Sequence, residues 1–202
     1  MNMPAPSVKK RPYRMSARAD AAAATRERLL AAAWQHFASH PYEDVRLQEI
    51  AADAGVTAQT LHTHFGSKDQ LLTAAYVWFG LREIALRDTA PAGDVNQAIE
   101  ILFDRYEAHG TAVLRMLSQE DRIPAIAQMT DAGRAYHREW AARTFTSLLR
   151  GLRGASRERR LAAIVVATDL LVWKLLRQNM QLDRENAEQI VAEMVQSSPP
   201  AH

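Results

Sequence analysis

The chain has 202 residues, 48% of them apolar and 24% charged, a composition that builds a folded core and excludes a disordered or fibrous protein. It contains no cysteine, which rules out a disulfide framework, a thiolate nucleophile and thiolate zinc sites, and suits a reducing compartment. The formal net charge is only +2, so its distribution carries the information.

Residues 1–20 read as a basic flexible arm. Lys9, Lys10, Arg11, Arg14 and Arg18 stand there among Pro4, Pro6 and Pro12, with no acid before Arg18 and no apolar run of the kind a signal peptide needs. Two readings of the arm stay open: a solvated tail, or a segment that follows nucleic-acid phosphates. Ala21 to Ala24 can extend the first helix toward it. Beyond the arm, Leu29, Leu30, Ala33, Trp34 and Phe37 recur at helical spacing on one face, and no alternating strand pattern follows anywhere. The predicted class is all-α. His40-Pro41 ends the first helix, Gly55 marks a tight turn, Gly66-Ser67 opens another helix, and Pro91-Ala92-Gly93 closes the first third. Further stops are expected at His109-Gly110, before Pro124, at Gly151 to Ser156 and at Gln181 to Asp183, giving about nine helices. The most apolar stretch, Leu161 to Leu176, is broken by Asp169 and Lys174 and falls short of the roughly 20 residues of a bilayer span. A cytoplasmic location and no membrane partner are expected.

The informative stretch runs from Leu47 to Lys68. It reads as a helix-turn-helix: Ala51 is small where two short helices touch, Gly55 tolerates left-handed backbone at the turn, and Ile50, Ala54, Val56 and Leu61 fill the wedge between them. Thr57 stands where an N-cap is wanted, its hydroxyl ready to accept a backbone amide. The second helix, Ala58 to His64, is nearly uncharged yet presents Gln59, Thr60, His62, Thr63 and His64. Gln can pair with adenine through two hydrogen bonds, Thr offers a hydroxyl and a methyl to thymine, and Ala58 permits close approach to the groove floor. Lys68 opens the next helix, where amide dipoles and an ammonium together favour a phosphate. His62 and His64 diverge by about 200° on a helix and cannot share a metal ion. No metal or other cofactor is expected.

Thr25-Arg26 through Leu72 resembles the N-terminal DNA-binding domain of TetR-type transcriptional regulators, through Ile50-Ala51, Ala54-Gly55-Val56-Thr57, Leu61, His64-Phe65, Ser67-Lys68 and Leu71-Leu72. Three positions depart from the family pattern: Pro41 replaces a helix-ending glycine, Arg46 a capping threonine, and His62 a tyrosine. Asp44 is a candidate for the missing cap, and Arg46 for a charge in place of the lost hydroxyl. The resemblance implies that Thr57, Ala58, Gln59, His62, Thr63, His64 and Lys68 meet double-stranded DNA, with Arg46 and Leu47 near its backbone; Thr60, presented on the same helix, joins the expected DNA-binding set.

The resemblance further implies a three-helix reading unit at 21–68 and a larger helical ligand-binding and dimerisation domain at 69–198. In that domain Ile99, Phe103 and Tyr106 share one predicted face and Met129, Tyr136 and Trp140 another. These stripes serve a core or line an effector pocket, and Asp169, the one acid in an apolar helix, is read either as a contact to a cationic ligand or as the partner of an arginine or interface edge. The last two helices, Arg157 to Met180 and Asp183 to Val195, are apolar on more than one side. Ile164, Ala167, Leu171 and Leu175 form one face, Val165, Val172 and Leu176 another, with Ile190 and Met194 following. One face is left for a homodimer partner. The expected function is a ligand-responsive transcriptional regulator, a repressor binding a palindromic operator as a homodimer and released by a small-molecule effector of unknown identity. Two other classes are weighed beside it: an effector-independent architectural DNA-binding protein, and a helical enzyme with a base in the C-terminal cavity. The second lacks any nucleophile motif, phosphate loop or metal spacing.

Overall fold

Alanine-rich sequence with apolar residues at helical spacing produces a long first helix. In the computed structural model, which describes residues 11–197 and side chains from residue 19 onward, α1 spans Arg11–Ser39. Then follow α2 (Leu47–Asp53), α3 (Ala58–Phe65), α4 (Lys68–Arg87), α5 (Val95–Leu117), α6 (Pro124–Thr144), α7 (Gly154–Ala167), α8 (Leu170–Trp173) and α9 (Arg184–Gln196). Tighter 3-10 turns occupy Tyr42–Asp44 and Thr146–Leu149, and a π-helical segment, Lys174–Asn179, prolongs α8. No strand occurs among the described residues, and no helix there is long and apolar enough to cross a membrane. Lys9 and Lys10 of the basic arm lie outside the described residues. From Arg11 the backbone is already helical, so the second half of the arm belongs to α1; Pro12 sits in the first turn, where a missing amide costs nothing.

Two apolar cores organise the chain. The first gathers Leu29, Leu30, Ala33, Trp34 and Phe37 of α1 with Ile50, Ala51, Ala54, Leu61 and Phe65. It continues through Leu71, Leu72, Ala75 and Phe79 of α4 and takes in Met116, Ile126 and Met129 from α5 and α6. Trp34 stacks on Phe79 with ring centres 3.8 Å apart. The second core joins Ile99, Leu102 and Phe103 of α5 to Trp140 of α6, Leu161 and Ile164 of α7, Trp173 and Leu176, and Val191 and Val195 of α9.

Two expected helix boundaries are corrected. The stop predicted at His109-Gly110 is absent, because α5 runs unbroken through it. Gly110 serves packing instead: a Cβ there would lie 2.6 Å from the Trp173 ring. The single helix predicted from Arg157 to Met180 is broken at Thr168-Asp169. Asp169 has extended backbone and accepts the Leu171 amide at 2.8 Å, so it is the N-cap of α8. The break also changes the helical phase. Ile164 and Ala167 are buried, whereas Leu171 and Leu175 are exposed, so the four do not form the one face that an unbroken helix would give.

A polar cluster lies beside the second core. Thr168 donates its hydroxyl to the Ile164 carbonyl at 2.7 Å, which leaves its oxygen to receive the Nε2–H of His137 at 3.1 Å. Nδ1 of that ring then accepts from the Arg87 guanidinium at 2.8 Å. The imidazole is therefore neutral. Burial, reinforced by the Arg87 charge, lowers its pKa from 6.5 to about 4.

Both features give measurable outcomes. The unfolded chain binds the His137 proton at higher pH than the folded one, so stability is present above pH 6.5 and is lost as pH falls toward 4. In urea unfolding, the protein should lose about 2 kcal/mol more than His137→Gln between pH 7 and pH 5; equal losses would refute the neutral buried ring. Gly110→Ala should lower stability by about 1–3 kcal/mol by overpacking, although alanine gains about 1 kcal/mol in helix propensity. A neutral or stabilising result in the same assay would contradict the close approach of Trp173.

Candidate nucleic-acid interface

The turn between α2 and α3 is built by glycine geometry. Gly55 has φ +69°, the Val56 amide bonds to the Ala51 carbonyl at 2.9 Å, and the Gly55 amide bonds to the Ala52 carbonyl at 2.9 Å. This doubly bonded ending stops α2 and turns the chain at a fixed angle. Thr57 then caps α3 as expected, its hydroxyl accepting the Thr60 amide at 3.2 Å. The cap expected from Asp44 is not made. Arg46 occupies the N-cap position of α2 without a side-chain bond, and Asp44 belongs to the preceding 3-10 turn, its amide tied to Pro41. At the other end of α3, Gly66 at φ +72° leads into Ser67, which forms a reciprocal capping box with Gln70.

Leu61 and Phe65, one turn apart, are buried and hold α3 on the first core. The opposite face presents Gln59, His62 and Thr63 exposed, with Ala58, Thr60 and His64 half-buried at its margins. No residue of α3 is Lys, Arg, Asp or Glu. The structure adds detail that limits how these groups act. Thr63 donates its hydroxyl to the Gln59 carbonyl at 2.8 Å, which leaves that oxygen able to act only as an acceptor. His62 donates Nδ1–H to the Gly66 carbonyl at 2.9 Å, so a neutral ring offers Nε2 outward as an acceptor. His64 packs against Phe65 with ring centres 6.0 Å apart. Arg46 is exposed and Leu47 half-buried.

Lys68 is folded back. Its ammonium lies 4.4 Å above the Tyr42 ring and 3.4 Å from the Glu43 carbonyl. Burial lowers its pKa against the opposing pull of Glu43, Asp44 and Asp69.

Several positioning contacts escaped the sequence reading. Arg28 of α1 donates to the Ala54 carbonyl at 3.1 Å, and His36 pairs with Asp53 at 2.7 Å, so two side chains clamp the end of α2. Arg26 lies 5.3 Å from the centre of the Phe65 ring. Each joins residues far apart in sequence, and the polar face of a helix does not reveal its partners.

Five of the six residues expected to line an effector pocket lie in or against the two cores, Tyr106 and Tyr136 packing against the second. Met129 belongs to the first core, while Phe103 and Trp140 are buried in the second. Tyr106 donates to the Thr168 carbonyl at 2.9 Å, and Tyr136 to Asp88 at 3.1 Å. Asp169 is a helix cap, so its carboxylate has a backbone partner without any ligand. A surface depression of about 500 Å³ is lined by Gly93, Asp94, Val95, Asn96 and Gln196, none of the six.

A short helix held by a glycine turn, capped at both ends and presenting amide, hydroxyl and imidazole groups from an uncharged face defines a helix-turn-helix DNA-binding regulator. Residues 29–75 match the family model of bacterial regulatory proteins, tetR family. The match covers the part of the chain that carries the helix-turn-helix. Its fold is that of a TetR transcription regulator from Haloarcula marismortui ATCC 43049, at TM-score 0.67 and 21% identity over 85% of this chain and 96% of the other. A transcriptional regulator from Rhodococcus sp. Rha1 superposes at 0.65 and 20% identity, over 84% of this chain and 93% of that one. No curated protein sequence matches the chain.

Proposed function

We propose that the protein is an effector-responsive repressor that binds a palindromic operator as a homodimer and reads it with α3. Gln59 and Thr63 read base edges, while Arg46, Leu47, Thr57, Ala58, Thr60, His62, His64 and Lys68 make the surrounding backbone and groove contacts. The observation that carries this reading is the exposed, uncharged face of α3 above its two buried anchors, Leu61 and Phe65. A low-charge reading helix favours base edges over indiscriminate phosphate attraction.

The dimer rests on apolar exposure in the C-terminal helices. Val166, Leu171, Leu175, Met180 and Met194, along α7 to α9, are each at least 40% exposed. A two-fold partner covering them sets two α3 helices about 34–36 Å apart, or a multiple of a turn. Release by a small molecule follows the family resemblance. Effector-independent DNA binding is favoured by one observation: Phe103 and Trp140 are wedged at 1% exposure in a packed core. A small-molecule screen by thermal shift on the full chain separates the two, since a stabilising compound that also weakens DNA binding requires the effector.

Selection of bound fragments from a random DNA pool should enrich an inverted repeat, and sedimentation should give a dimer; a monomer without sequence preference overturns the reading. On the enriched site Gln59→Ala should cost about 1–3 kcal/mol and on random DNA very little. Equal loss on both would remove Gln59 from base reading. Lys68→Ala should weaken all sequences alike and reduce the slope of log affinity against log salt by about one. An unchanged slope would mean that the ammonium stays on Tyr42.

A further inference from the structure

The turn that joins α1 to α2 is gripped from the end of α5 and the loop beyond it. Gln119, two residues past the end of α5, is only 3% exposed, and both ends of its carboxamide are used. Its Oε1 accepts the Tyr42 amide at 2.7 Å, and its Nε2 donates to the Arg115 carbonyl at 2.8 Å. Arg115 in turn donates to the Ala38 carbonyl in the last turn of α1, and Arg122 pairs with Glu43 at 3.0 Å. Three side chains from the end of α5 and the loop beyond it therefore converge on residues 38–43, directly ahead of α2.

The gripped turn is itself fastened to the reading unit. The Tyr42 hydroxyl donates to Asp69 in the first turn of α4, and the Lys68 ammonium lies over the Tyr42 ring. Met116, Ile126 and Met129 supply apolar cohesion at the same junction. Apolar contact is non-directional and tolerates sliding, whereas one carboxamide oxygen on one buried amide fixes an angle.

We infer that Gln119 is a positioning residue for DNA reading: it locks the orientation of the reading unit on α5, and operator affinity depends on it although it is buried at the junction. The functional half of this inference rests on the proposed DNA reading; the orientational half stands apart from it.

The absence of native cysteine allows a test in the full chain. Spin labels on Ala52→Cys in α2 and Ala135→Cys in α6, both exposed, report the orientation when labelled chain is diluted into unlabelled. Gln119→Met keeps the length of the side chain and removes the carboxamide. It should broaden the distance distribution and weaken binding to the selected DNA about tenfold, with helix content unchanged. If Gln119→Met does not fold, Gln119→Asn replaces it, since it draws the amide back from Tyr42. An unchanged distribution in the Met or Asn variant overturns the inference. If the parent selects no DNA, the functional reading fails, and the distance measurement still decides whether Gln119 sets the orientation.

Discussion

The reading helix cannot stand by itself. An eight-residue helix has too few internal hydrogen bonds to repay its nucleation, so α3 exists because Leu61 and Phe65 are buried on the first core and because caps satisfy its ends. Its direction is inherited. Gly55 sets the angle to α2, Arg28 and His36 pin α2 to α1, and the stacked Trp34 and Phe79 rings pin α1 to α4. Each link bears on where Gln59 points. A substitution anywhere along this series bears on the placement of that exposed face.

The same logic explains the division of labour between the cores. Met116, Ile126 and Met129 come from helices whose other side chains build the second core, yet they are buried in the first. The two cores are therefore not independent bodies joined by a linker. Along α5 the chain passes from Ile99 and Phe103 in the second core to Met116 in the first, so any shift of that helix is felt at both ends. Breaking the long apolar helix at Thr168-Asp169 serves this arrangement. With α7 and α8 at different phases, Ile164 and Trp173 both face inward while Leu171 and Leu175 turn outward.

Much of the site was legible because its determinants are local. The Thr57 cap, the Gly55 turn and the Gly66-Ser67 helix start each depend on residues within a few positions, and the buried stripe of α1 follows from spacing alone. Contacts across the fold were not legible. Gly110 looked like a stop because glycine usually punctuates a helix, and only the approach of the Trp173 ring shows why it sits mid-helix. Asp169 read as an acid in need of a cationic ligand, an arginine or an interface edge, because an unbroken helix would have left it unpaired. Once the backbone breaks there, the carboxylate accepts an amide and nothing further is needed. Met129, Tyr136 and Trp140 share a predicted stripe, yet Met129 packs in one core and Trp140 in the other because α6 spans both.

Polar contacts at the junction between the cores carry a consequence that apolar ones do not. Sliding two oily surfaces by an ångström changes buried area slightly, while pulling the Gln119 oxygen from the Tyr42 amide strands a donor and a carboxamide in a place water reaches poorly. The junction is thus biased toward one arrangement, with a sharp penalty for intermediate ones. The proposed reading of two half-sites about one helical turn apart calls for that sharpness, because a tilt at the junction is carried through α4 to α3 and its exposed side chains.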